Sequence, residues 1–91
     1  MAVTLTLPTV LANLAEGNQT LEAEGNTLGD AIDDVSARFP RLAPRLRDEE
    51  GSPYPFVTFY LNDQDIRING GFDVELHEGD EITIVPAIAG G

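Results

Sequence analysis

Asp80-Glu81-Ile82-Thr83-Ile84-Val85-Pro86-Ala87-Ile88-Ala89-Gly90-Gly91 closes the sequence and decides how the rest of it is read. Its first half alternates Ile82 and Ile84 with Glu81 and Thr83, the period of a β-strand. Pro86 has no N–H to give to a ladder and fixes its own φ, so regular pairing is expected to stop near it. Beyond it Ala87, Ile88, Ala89, Gly90 and Gly91 are uncharged and mostly small, and the last two lack a Cβ. Such a segment is thin enough to enter a channel closed to bulkier chain. Extended, it reaches roughly 16–18 Å past Pro86. The expectation is a body of residues 1–86 that presents residues 87–91 as a flexible tail.

Working back from this strand, the remaining elements follow from periodicity. Val3, Leu5 and Leu7 alternate with Thr4 and Thr6, a half-buried strand ending at Pro8. Glu16-Gly17-Asn18 is a turn, and Gln19–Glu24 a second, more polar strand, so the two form an N-terminal hairpin. Thr27 with Asp30 three residues on resembles a capping box. Leu28, Ala31, Ile32, Val35 and Phe39 then recur at helical spacing until Pro40. Arg41–Arg47 is expected to make a short helical turn on Leu42 and Leu46, and Asp48–Pro53 a polar loop. Phe56–Leu61 is the most strand-like run, with Val57, Phe59 and Leu61 facing inward and Phe56, Thr58 and Tyr60 outward. Asn62-Asp63 turns, Asp65–Ile68 is read as a short strand, Asn69-Gly70-Gly71 turns again, Leu76 returns to the core, and Glu78-Gly79-Asp80 leads into the last strand. The order β-β-α-β-β-β is an α+β layer solution. With its first and last strands as parallel central neighbours it is a β-grasp, ubiquitin-like mixed sheet of about five strands, with one main helix packed on one face.

Composition narrows what such a domain can do. The 91 residues suit one small domain, and 42% hydrophobic content suffices for a single core. A formal net charge of −11 argues against nucleic acid or an anionic membrane as partner and favours a basic docking face. No stretch is long enough to span a bilayer, and Met1–Leu14 lacks the basic start of a signal peptide, so the cytoplasm is the expected location. The absence of cysteine excludes thiolate metal sites, iron–sulfur clusters and cysteine nucleophiles. All five basic side chains are arginine, so an activated acyl group at Gly91 would meet no lysine on its own body. A lone His77 in a turn and no Gly-rich phosphate loop leave little for catalysis. Asp30, Asp33 and Asp34 fit a solvated helix face better than a metal site. Arg41, Arg45 and Arg47 are expected to pair with Asp48–Glu50.

The run Leu76-His77-Glu78-Gly79-Asp80-Glu81-Ile82-Thr83-Ile84-Val85-Pro86, with the terminal Ala89-Gly90-Gly91, resembles the MoaD/ThiS family of ubiquitin-like sulfur-carrier proteins. Within the family Pro8-Thr9-Val10-Leu11, Asn26-Thr27-Leu28-Gly29, Tyr60-Leu61-Asn62-Asp63 and Val85–Gly91 look most like the carriers that serve a protein-bound route to cysteine. The resemblance implies that an E1-like adenylating and sulfurtransferase enzyme uses ATP to activate the Gly91 carboxylate. Sulfur then replaces AMP to leave a thiocarboxylate, which a cysteine synthase-like or other biosynthetic enzyme consumes. It implies a protein cosubstrate with no catalytic residue, no bound cofactor and no metal. Gly91 is the modified residue, and Ala87, Ile88, Ala89 and Gly90 enter the partner's active site. Phe56, Tyr60 and Val85 beside the tail are the expected docking patch. A ubiquitin-like modifier joined to other proteins through Gly91, and a non-covalent acidic interaction module, remain the alternatives.

Overall fold

The computed structural model describes residues 1–86. The closing strand β5 (Glu81–Pro86) is the middle of a five-stranded sheet. On one side it runs parallel to β1 (Ala2–Thr6), with Leu5 opposite Ile82 and Thr6 opposite Thr83. On the other it is antiparallel to β3 (Val57–Leu61), with Phe59 opposite Ile84. β2 (Thr20–Glu24) borders β1, and β4 (Gln64–Asp65) borders β3, giving the order β2-β1-β5-β3-β4. A parallel pair needs a crossover, and here the crossover carries the helices.

Strand alternation fixes which face is buried. Val3, Leu5, Leu21, Ala23, Phe59, Ile82 and Ile84 all point to one side and are at most 6% exposed. The main helix, α2 (Leu28–Arg38), closes that side with Leu28, Ala31, Ile32 and Val35. Its start is fixed as the sequence predicts: the Thr27 hydroxyl accepts the Asp30 N–H at 3.2 Å. Gly25, just before it, packs so close that a Cβ would lie 2.6 Å from the Ala31 nitrogen. Leu42 and Leu46, on a single 3₁₀ turn at Ala43–Arg45, are fully buried and seal the end of the core.

Two segments depart from the sequence reading. Pro8–Ala15 is helical: α1 (Thr9–Ala12) runs into a 3₁₀ turn at Asn13–Ala15 and buries Leu11, Ala12 and Ala15. A four-residue helix is too short to display a period, which is why only its flanking turn is visible in the sequence. The expected strand Asp65–Ile68 is cut to Gln64–Asp65, and Ile66–Ile68 coils as a 3₁₀ turn. The cause is local: the Asp65 carboxylate accepts the Arg67 backbone N–H at 2.9 Å and caps the turn. Ile66 is thereby buried, while Ile68 is left 79% exposed.

Candidate functional site

The first residues of β5 are held by a side-chain clamp. Leu61-Asn62-Asp63-Gln64 is a two-residue hairpin loop, with Asn62 and Asp63 at φ 49° and 73°, the pattern of a type I′ turn. Asn62 reaches across to the start of β5, where its amide donates to the Asp80 carboxylate at 2.8 Å. Its amide oxygen accepts the Glu81 N–H at 3.0 Å, and its own backbone N–H donates to the Glu81 carbonyl at 2.9 Å. The other Asp80 oxygen accepts the His77 backbone N–H at 2.7 Å, closing the turn in which Gly79 takes φ 84°. Partial burial pushes the Asp80 carboxyl up. The hydrogen bonds from Asn62 and His77 and the nearby His77 ring outweigh it and hold the group below the usual carboxylate range. His77 itself is 78% exposed and takes part only as a neighbour of Asp80.

The far end of β5 is unlike this. The open face of the sheet carries the row Thr20, Thr6, Thr83, Tyr60, each directly across from the next. Val85 stands opposite Thr58, which makes Tyr60 and Val85 diagonal neighbours on that face. Val85 is 41% exposed and Tyr60 half-buried. Phe56 is not on this patch in the way alternation predicted. It precedes β3 and packs edge-on against Tyr54, with ring centres 5.4 Å apart. It lines a groove with Val10, Leu14, Arg45 and Pro86. Two of the three expected docking residues therefore share the open face, and the third sits where the sheet meets α1. Both places adjoin Pro86, the last described residue. The expected tail residues Ala87, Ile88, Ala89, Gly90 and Gly91 lie outside the described residues.

The arginine cluster does not pair as expected. Arg47 ion-pairs with Asp33 at 3.1 Å, donates to the Gly29 carbonyl at 3.2 Å and to the Gly51 carbonyl, and stacks 4.8 Å over the Phe72 ring. It braces α2 against two loops, and the hollow of about 460 Å³ beside it has Asp30 and Asp73 at its rim, which disfavours an anion. Asp48 turns its carboxylate to the Glu50 and Ser52 N–H groups instead. On α2, Asp34 pairs with Arg38 at 3.3 Å and accepts the Glu24 N–H at 2.9 Å. These pairings use Asp33 and Asp34 structurally, while Asp30 lies exposed in the first turn of α2. Among the described residues, no group of three or more His, Cys, Asp or Glu side chains is placed to hold a metal, and no helix is long and apolar enough to cross a membrane.

A five-stranded mixed sheet with β1 and β5 as parallel central neighbours and α2 on one face defines a ubiquitin-like β-grasp domain. The chain belongs to the ThiS family, whose pattern matches residues 5–91. It is 40% identical over 93 residues to the sulfur carrier protein CysO of Mycobacterium tuberculosis, a match covering 100% of both chains. The crystal structure of that CysO superposes with a TM-score of 0.88 at 38% identity, over 94% of this chain and 99% of that one. A chain of the Amycolatopsis orientalis BexX/CysO complex gives a TM-score of 0.89 at 42% identity, over 98% and 99%. Small archaeal modifier protein 3 of Haloferax volcanii is 32% identical over 65 residues, 71% of this chain and 70% of that one.

Proposed function

We propose that the chain is a sulfur carrier of the CysO type, supplying sulfur for cysteine or a related metabolite. It is a protein substrate and not a catalyst. The observation that carries the reading is the junction of a central, doubly paired strand with the segment Pro86-Ala87-Ile88-Ala89-Gly90-Gly91. The full-length identity to CysO supports it.

The chemistry follows from the weakness of a carboxylate as an electrophile. An oxygen of the Gly91 carboxylate attacks the α-phosphate of ATP on an E1-like enzyme, and pyrophosphate leaves. A hydrosulfide-level sulfur donor then attacks the acyl carbon, the C–O bond to AMP breaks, and Gly91 is left as a thiocarboxylate. Its sulfur is a soft nucleophile that forms an S–C bond to an electrophilic carbon held by a second, synthase-type enzyme. Water at the acyl carbon releases the sulfur with its acceptor and restores the carboxylate. Gly90 and Gly91 let the backbone lie against the nucleotide without a side-chain clash.

The body suits this duty. With no lysine in the chain, the remaining aliphatic amine is that of Met1. It lies 3.7 Å from the Glu24 carboxylate, next to the Gly79 turn, whose N–H bonds the Ala2 carbonyl. Because β1 and β5 are parallel, that is the opposite end of β5 from Pro86, roughly 20 Å away. The Met1 amine is thus at the far end of β5 from the residue at which residues 87–91 begin.

The test is incubation with ATP, an E1-like enzyme and sulfide, alkylation at mildly acidic pH, and fragmentation of the intact protein. The expected result is an alkyl group on Gly91 that requires ATP. The identity to small archaeal modifier protein 3 favours one second reading, conjugation of Gly91 to amines of other proteins. Adducts in cell extract that survive thiol reductant and mild hydroxylamine would support that reading instead.

A further inference from the structure

Two of the most exposed large apolar side chains, Val10 (63%) and Phe56 (59%), line one groove of about 340 Å³. Its floor is Leu11, Leu14 and Val57, and one wall is Pro86. Nothing in the fold requires Val10 or Phe56 to be apolar. Val10 is on the outer side of α1, whose Leu11 and Ala12 already serve the core. Phe56 is a loop residue, held in place by its edge contact with Tyr54 and by the bond from the Tyr54 N–H to the Leu46 carbonyl. The same groove is lined by Arg45. Among the described residues no carboxylate lies within 4 Å of Arg45, although the chain carries 16 of them. An arginine with no carboxylate partner among the described residues, next to exposed apolar surface, has the composition of an interface anchor.

Its position names the occupant. Pro86 is both the wall of the groove and the residue from which the tail departs. A protein that encloses residues 87–91 from their first residue must lie over the mouth of the groove. We propose that the adenylating enzyme that receives the tail seats a large apolar side chain between Val10 and Phe56, with a carboxylate of the same segment on Arg45. This rests on the carrier reading above. The groove would supply affinity while the tail supplies chemistry. The open-face pair Tyr60 and Val85 flanks the other side of the same strand end, so the enzyme would grip β5 from both faces. The contact on Arg45 would invert the polarity of the rest of the surface, where the carrier is the acidic partner.

The experiment is ATP–pyrophosphate exchange by E1-like adenylating enzymes that accept a CysO control, with carrier concentration varied to separate KM from kcat. Val10→Ser with Phe56→Ser is expected to raise KM about tenfold and leave kcat unchanged, as is Arg45→Glu; Arg45→Lys should recover most of the loss. Ile68→Ser, more exposed still at 79% and outside the groove, should keep the wild-type KM. Unfolding curves of all variants should superpose, since each site is solvent-facing. Wild-type KM in the groove variants, or an equal rise in Ile68→Ser, overturns the proposal alone. Absence of exchange with the wild-type carrier overturns the carrier reading and this proposal with it. In the isolated protein, the Val10 methyl and Phe56 ring signals should not change on removal of residues 87–91 or on dilution. A change on truncation would assign the groove to the chain's own tail, and a change on dilution to a second copy, and either would overturn the proposal.

Discussion

The two ends of β5 differ in almost every physical respect. At its start, Asp80 and Glu81 are fixed by Asn62 through three bonds of 2.8–3.0 Å, and the preceding turn is closed on Asp80. At its finish, Val85 and Pro86 have apolar, partly exposed neighbours and no side-chain hydrogen bond among the described residues. One end sets register and direction, and the other offers surface. The difference shows how a domain without a catalytic group can contribute to a reaction. In the carrier reading proposed above, it fixes where residues 87–91 begin and leaves the chemistry to the enzyme that receives them.

The sharpest break of this comparison removes the receiving end and spares the fixed one. Deletion of Gly91 should abolish thiocarboxylate formation outright, read by alkylation and intact mass, with the unfolding transition unchanged. Damage to the strand's buried side should do the reverse. Phe59→Ala, at a site 2% exposed and opposite Ile84, is expected to cost about 3–5 kcal/mol in urea unfolding, because a large cavity replaces the ring that packs edge-on against Phe72.

Loosening the clamp comes next. Asp80→Ala leaves the Asn62 amide and His77 N–H without their acceptor and should cost about 1–3 kcal/mol. The pH dependence has a definite sign. A carboxyl whose folded pKa is depressed stabilises fully above its unfolded pKa, and the contribution is lost as pH falls through the folded value. Wild-type stability should therefore drop on acidification below the usual carboxylate range, and Asp80→Asn should flatten that limb in urea titrations taken at successive pH values. The smallest effect is expected away from β5 altogether. Thr27→Ala removes the α2 cap and should cost about 1 kcal/mol while leaving sulfur loading intact.

The parts of the fold that were legible in the sequence are those with a long enough period. β5, β1, β3 and α2 each repeat their pattern over five residues or more, and the capping threonine and the Leu42 and Leu46 pair were readable on the same ground. Pro8–Ala15 and Ile66–Ile68 were not, because single helical turns are decided by one cap or one buried leucine and leave no period. Arg47 was assigned to the acidic run next to it in sequence. Its partners on α2, Asp33 and the Gly29 carbonyl, are 14 and 18 residues away, and only the packing of α2 against the 3₁₀ turn at Ala43–Arg45 brings them within reach. For the site, alternation placed Tyr60 and Val85 on one face correctly. It misplaced Phe56 because the alternation begins one residue later, at Val57, and the loop before it obeys Tyr54 instead. The groove of Val10, Leu14, Arg45, Phe56 and Pro86 unites four separate segments, which no local pattern reveals.

The measurement that bears most directly on the central claim uses the absence of cysteine from the chain. With no thiol to react, an alkylating reagent at mildly acidic pH reports on the thiocarboxylate alone. After incubation with ATP, an E1-like enzyme and sulfide, fragmentation should place one alkyl group on Gly91, lost without ATP and in the Gly91 deletion. An unalkylated Gly91, with adenylating enzymes that load a CysO control in the same tube, would contradict the account.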